Sequence, residues 1–229
     1  MKYFWTSFSK ISTVLAVFAW LITHPAQAES LSQAYKLLDN FYELDPDLLF
    51  EAFGKNDMEI HEIEKLIAPI LEEAESYRDN NPENAEAWLV CAVIRSDYAP
   101  TQGLMKMLGI LRTARDELEI SIELDEKILG GFAQAFLGML YYRMPSWPVS
   151  YGSNKKAEKS FSEALRIDGN SMANNVYYAG FLIDEKKYHR AGTFLLSAED
   201  AATGEYSPHH LRQLRRFIER DLQSIADRI

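Results

Sequence analysis

Two alanines of this chain, Ala157 and Ala191, stand 34 residues apart and open the same short pattern. Ala157 is followed by Phe161 at +4, Ala164 at +7 and Asp168 at +11; Ala191 is followed by Leu195 at +4 and Ala198 at +7. A third copy begins at Ala114 and continues with Leu118, Ser121 and Asp125. Small, large and small residues at these offsets share one face of an α-helix. Repeated with a period of 34 residues, the pattern marks an array of helix-turn-helix units, each burying its apolar face against the next. Such arrays are usually binding scaffolds, so the pattern constrains the architecture strongly and the partner weakly.

The remainder of the chain agrees with helices. No window alternates apolar and polar residues convincingly with period two, and Gly and Pro gather at a few breaks. The fold class expected is all-α: a tetratricopeptide-like helical-hairpin repeat array with N-terminal helices and a C-terminal capping helix. Early helices are expected over 30–44 and 46–53, with Gly54 ending the second. A longer helix should follow Asp57, with Ile60, Ile63, Leu66, Ile67, Ile70, Leu71 and Ala74 on its apolar stripe and a stop at Asn80-Asn81-Pro82. The repeat-like units run about 58–82, 83–125, 131–168 and 174–203. Their first helices, over 83–97, 131–143 and 174–185, carry Ala92, Gly138 and Ala179 as small residues, which let helix axes approach. Trp88, Tyr141 and Leu182 are the large residues expected beside them. The cap spans 207–229, with Ser207 as N-cap, Pro208 in the first turn and Leu211, Leu214, Ile218, Leu222 and Ile225 as its stripe.

The first 28 residues read as a secretory signal peptide. Lys2 and Lys10 come first, the apolar run Ile11 to Ile22 follows, and Ala26-Gln27-Ala28 forms a small-x-small cleavage site. Residues 29–229 are then expected to make a single helical domain in the periplasm, and no cysteine stands directly after the cleavage site to serve as a lipid anchor. The net charge of −10 argues against nucleic acid and anionic membrane surfaces as partners. Cys91, the single cysteine, forms no internal disulfide and is read as a small hydrophobe in a helix interface.

Catalytic and metal-binding patterns are missing, so no catalytic residue, metal or cofactor is expected. His61 lacks the second histidine of a metalloprotease helix, and His209-His210 diverge as adjacent helical positions. Neither a glycine-rich phosphate loop nor a Gly-x-Ser-x-Gly elbow occurs. Two long intra-repeat connections stand out instead. The spacing Ala179 to Ala191 is 12 residues, but Gly138 to Ala157 is 19 and Ala92 to Ala114 is 22. Both insertions should emerge on one edge of the array, where such loops often form the binding face. The segment 144–152 concentrates Trp147, Tyr151 and two prolines in an expected loop. Trp147 there either plugs its own repeat or contacts a partner. The segment 96–109, with Tyr98 and Met105, either covers the core or lines an adaptable groove. Arg95, Arg112 and Arg143 are the nearby cations. They either clamp a carboxylate or pair with the chain's own acids.

Residues 138–157 also resemble a known family. They carry Leu140-Tyr141, Pro145-Ser146-Trp147-Pro148, Tyr151-Gly152 and Lys155-Lys156 ahead of Ala157. This order is similar to the segment between two repeat helices in the T component of tripartite ATP-independent periplasmic (TRAP) transporters. The likeness spans about 129–198; Ser146 stands where the family has glycine, and the lipobox cysteine of some members is absent. The resemblance implies a helical-repeat protein that associates with a periplasmic solute-binding protein and forms homo-oligomers with hydrophobic openings. Trp147 and Tyr151 would then line such an opening.

The expected function is a non-enzymatic adaptor that holds a small apolar or organic-acid ligand. Its contact residues would be Trp147, Tyr151, Arg143, Tyr98 and Met105. The alternative is a general protein-interaction module in envelope or pilus assembly.

Overall fold

The computed structural model describes residues 36–38, 41, 57–202, 206 and 208–228. The expected signal peptide, most of the two early helices and the Ser207 cap lie outside these residues. Lys36, Leu37, Leu38 and Phe41 are helical, and the last three are buried.

The described chain runs through α1 (Asp57–Asn80), α2 (Ala85–Tyr98), a 3-10 turn (Ala99–Gln102), α3 (Leu104–Leu124), α4 (Ile128–Arg143), α5 (Asn154–Ile167), α6 (Met172–Asp184), α7 (Tyr188–Glu199) and α8 (Pro208–Ile225). The fold class is all-α; one isolated bridge, Ser146 with Gly152, is the extended pairing among the described residues. The dominant packing joins α2 to α3, α4 to α5 and α6 to α7. Short connections make such neighbours antiparallel hairpins. The first helices α2, α4 and α6 also meet in order, and α8 closes the series on α6 and α7.

Local chemistry sets the boundaries. Asn84 caps α2 by accepting from the Glu86 and Ala87 amides, Ser153 caps α5 through Lys156, and Ser171 caps α6 through Asn174. The start of α4 is less regular. Leu129, Gly130 and Gly131 all have positive φ, so regular helix begins at Phe132. Glycine is required at 131 on two counts: φ is 84°, and a Cβ there would sit 3.1 Å from the Ala164 carbonyl. Asn174 holds this turn in place. Its Nδ2 donates among the carbonyls of Gly130 (2.9 Å), Ala164 (3.1 Å) and Asp168 (3.1 Å).

Every triplet position found by spacing is buried: Ala114, Leu118 and Ser121, then Ala157, Phe161 and Ala164, then Ala191, Leu195 and Ala198. Ala92 and Ala179 are buried opposite them. At Gly138 the need for a small residue is direct, because an added Cβ would lie 3.1 Å from three atoms of the Phe161 ring. Phe161 in turn meets Tyr142, Tyr178 and Phe181 at centroid distances of 6.1, 5.5 and 5.5 Å, which joins α4, α5 and α6 through one ring.

Three expectations are modified by the fold. Leu66 lies on the exposed side of α1, although Ile63, Ile67, Leu71 and Ala74 of the same stripe are buried. Trp88 is half-buried; its indole donates to the Pro82 carbonyl (2.8 Å) beneath the Arg78 guanidinium. The segment 96–109 is mostly helix, not loop: it prolongs α2 to Tyr98, turns through 99–102 and starts α3 at Leu104. Backbone groups in a long apolar connection need partners, and helical turns supply them internally.

Gly138→Ala should destabilise the protein by about 1–3 kcal/mol, because Phe161 cannot retreat from a filled ring cluster. In urea titration the midpoint falls with the slope unchanged; an unaltered midpoint would refute the close approach.

Candidate functional site

Two features stand out once the helices are in place. The first is an edge. α3 and α4 are consecutive and packed, so the beginning of α3 and the end of α4 lie at the same end of the array. The connection after α4 is tied to α3 directly, since the Tyr151 hydroxyl donates to the Leu111 carbonyl (2.9 Å). Leu104 lies about two helical turns, or roughly 10 Å, before Leu111. At this end Trp147 is 86% exposed, Met105 82%, Leu104 66% and Val149 61%. These are the four most exposed large apolar side chains among the described residues.

The loop that carries Trp147 is braced. Gly152 donates to the Pro145 carbonyl (2.9 Å), Ser153 to Tyr141 (2.8 Å) and Val149 to Ser146 (3.1 Å). The Trp147–Pro148 peptide is cis. The three backbone hydrogen bonds hold the loop while Trp147 points outward, and Tyr151 is the residue that turns inward. Tyr151 meets the Tyr141 ring edge-on at 6.0 Å, and the Arg115 guanidinium stands 4.7 Å from its centroid. Burial raises its hydroxyl pKa well above the ordinary tyrosine range.

The remaining expected contact residues point elsewhere. Tyr98 donates to Glu64 of α1 (3.3 Å), beside Gln102, which donates to the same oxygen (2.6 Å). Arg143 donates from Nε to the Tyr142 hydroxyl (3.0 Å) and lies over that ring. Desolvation alone would lower the pKa of Arg143; the Tyr142 hydroxyl and the Asp184 and Asp221 carboxylates outweigh it and raise it. The edge thus brings Trp147 and Met105 to one end with Tyr151 beneath, whereas Tyr98 serves α1 and Arg143 turns toward α6 and α8.

Arg95 belongs to a buried ionic cluster. Its Nε and Nη2 both reach Glu117 at 2.8 Å, and Nη2 also reaches Glu75 at 2.8 Å. Arg78 completes the set on Glu117 Oε1. Cys91 lies among them and donates weakly to Glu117 (3.4 Å); burial pushes its thiol up to about 12, so it is not a reactive nucleophile. Glu117 is only 3% exposed, so two guanidiniums neutralise one desolvated carboxylate and lock α1, α2 and α3 together.

The second feature is a ring cluster packed between α4, α6 and α8. Phe132, Phe136 and Tyr177 form a triangle of rings with centroids 5.8, 5.8 and 6.0 Å apart. His210 and then Tyr206 extend it at 5.8 and 5.3 Å. The charge of Asp97 on α2 helps raise the Tyr177 pKa, after desolvation as the larger cause. Burial pushes the Asp97 carboxyl up to about 7. Glu86, three helical turns earlier on the same stripe, is 1% exposed and pushed up to about 8 by burial. Its Oε2 has no hydrogen-bond partner among the described residues. Neither acid was singled out from the sequence. The available signal was the stripe Glu86, Val90, Val93, Asp97, which places acids on a face otherwise apolar.

A groove of about 620 Å³ opens between α3, α4 and α5, but its acids Glu126 and Glu163 are already bound by Arg166. Among the described residues no group of three His, Cys, Asp or Glu side chains could hold a metal ion, and no helix is long and apolar enough to cross a membrane. No protein-family model matches the chain, and no curated protein matches it significantly.

Glu117→Ala should cost about 3–5 kcal/mol, the penalty of leaving buried charge unpaired, read as a lowered denaturation midpoint.

The pH dependence follows from the two desolvated acids of α2. Glu86 and Asp97 stay protonated in the fold where the unfolded chain has lost those protons, so stability falls as pH rises through about 7 to 8. His210, pulled down to about 4 by burial, acts oppositely: its contribution is present above about 6.5 and is lost as pH falls through about 4. Melting temperature should peak in mildly acidic solution and decline toward pH 8. Glu86→Gln should raise the melting temperature at pH 8 by several degrees and flatten the decline. A wild-type profile that climbs steadily from mildly acidic solution to pH 8 contradicts the assignment.

Proposed function

We propose that the chain is a non-enzymatic periplasmic adaptor of tetratricopeptide-repeat type, and that it docks a protein partner through the edge formed by Leu104, Met105, Trp147 and Val149. The observation that carries this reading is the concentration of the most exposed apolar side chains on the start of α3 and the connection after α4, at one end. Isolated exposed hydrophobes are ordinary on a protein surface, but a grouped set marks an interaction site. A tryptophan on a loop stiffened by proline and internal hydrogen bonds loses little freedom on contact, which suits an anchor residue. The 34-residue spacing of Ala157 and Ala191, with all three triplets buried, supports the repeat type.

The partner proposed is a periplasmic solute-binding protein. The support for it is the likeness of residues 138–157 to the T component of TRAP transporters. The edge offers such a partner an apolar contact on an acidic molecule, so the complementary face should be apolar with a basic rim.

The test uses the immobilised chain and periplasmic extract, with captured proteins identified by mass. A solute-binding protein should be recovered, and Trp147→Ala should weaken its binding about 30-fold, the cost of a central anchor of about 2 kcal/mol. Recovery of envelope-assembly factors alone would favour the general interaction module instead.

A further inference from the structure

The groove of about 620 Å³ between α3, α4 and α5 joins an apolar floor to polar groups that are not yet engaged. Leu137 and Tyr141 of α4 make the floor, each 6% exposed, and Ile122 of α3 flanks them. The Tyr141 hydroxyl donates to Glu119 of α3 (3.0 Å), so the ring is the part left for a ligand. The Lys156 ammonium stands 5.1 Å from that ring's centroid, which sets a cation at the border of the apolar floor. Lys159, three residues on, shares the same face of α5. Ser160, mostly buried, and Gln134 complete the walls.

The charges of the groove differ in what they already hold. Arg166 donates to Glu163 from Nε (2.7 Å) and to Glu126 (2.7 Å), which occupies both acids of the lining. Neither lysine ammonium makes an ion pair or hydrogen bond among the described residues. Lys159 acts on Glu163 only as the last influence lowering that carboxyl, with the Arg166 hydrogen bond first. The Ser160 hydroxyl and the Gln134 carboxamide also have no hydrogen bond among the described residues. Three cations thus meet two acids here, although the molecule as a whole carries −10. A cationic ligand would meet Lys156 and Lys159 head-on, whereas a carboxylate would receive charge-assisted hydrogen bonds from them. Leu137, Ile122 and the Tyr141 ring reward a ligand that also brings apolar, preferably aromatic, surface. The volume lies within the range of about 300–1,000 Å³ typical of small-molecule sites.

We propose that this groove is a binding site for a small aryl carboxylate. The carboxylate accepts from the Lys156 and Lys159 ammonium groups, and the aryl body lies on Tyr141, Leu137 and Ile122. Ser160 and Gln134 offer donors to a further oxygen of the ligand. None of the contact residues expected from the sequence lines this groove. The edge at Trp147 shares no residue with it, so the inference does not depend on the adaptor reading.

The test is ligand-observed saturation-transfer NMR on the full chain with three probes of similar shape: naphthoate, naphthalenemethanol and naphthalenemethylamine. Naphthoate should bind saturably, and the neutral and cationic probes at least about tenfold more weakly. The double substitution Lys156→Gln and Lys159→Gln changes two exposed side chains and should leave the circular dichroism spectrum unaltered. It should weaken naphthoate about tenfold or more and leave the alcohol unaffected. Trp147→Ala should leave naphthoate binding unchanged while it weakens partner capture, so the two proposals fail separately. Absence of saturable naphthoate binding, or the amine bound as tightly as naphthoate, overturns the site with the wild-type chain alone. Undiminished naphthoate binding by the folded double variant, or its loss in Trp147→Ala, overturns the placement in this groove.

Discussion

The approach of α4 to α5 at Gly138 is the constraint on which the helix array rests. Without a Cβ at that position, the Phe161 ring lies against the α4 backbone and still reaches Tyr142, Tyr178 and Phe181. One buried ring then fixes three helices. The same logic recurs where Ala114, Ala157 and Ala191 sit fully buried at the starts of their triplets. Close-packed interiors transmit strain, so the helix spacing set at these points determines where the connections come to lie.

Charge is distributed in two ways across this frame. Near α1, α2 and α3, buried charges are compensated locally, with Glu117 serving both Arg78 and Arg95. On the stripe of α2 that carries Glu86 and Asp97, neither acid has a cation among the described residues; Glu86 is buried, Asp97 is partly exposed, and desolvation raises both pKa values. A compensated cluster fixes geometry, whereas an uncompensated acid makes the fold sensitive to pH. The outer edge relies on neither device; its four exposed hydrophobes are offered by backbone that is braced from within.

Much of the helical framework was legible from the order of residues. Ala157, Phe161 and Ala164 and their counterparts were read as buried from spacing alone, because helical periodicity converts a sequence offset into a shared face. The break after Asn80 and the start of regular helix near Gly131 were legible because proline, glycine and asparagine restrict backbone conformations locally. Less was legible at the sites. Trp147 and Tyr151 looked equivalent as loop aromatics, yet one faces solvent and the other bonds to Leu111. For Arg95 and Arg143 the sequence left open a carboxylate clamp or pairing within the chain, and only the fold shows Arg95 on Glu117 and Arg143 on the Tyr142 hydroxyl. Asn174, which stitches the turn before α4 to the end of α5, gave no local sign of that role.

The sequence by itself determined an all-helical chain, the buried face of each paired helix and the places where the connections lengthen. Those properties depend on contacts within a few turns, which fixed offsets encode. Only the tertiary structure decided which aromatic is presented and which is tucked in, that Glu117 holds two arginines, and that Glu86 is buried with an unpartnered carboxylate oxygen. These depend on residues tens of positions apart brought side by side, and no local spacing records which side chains will meet.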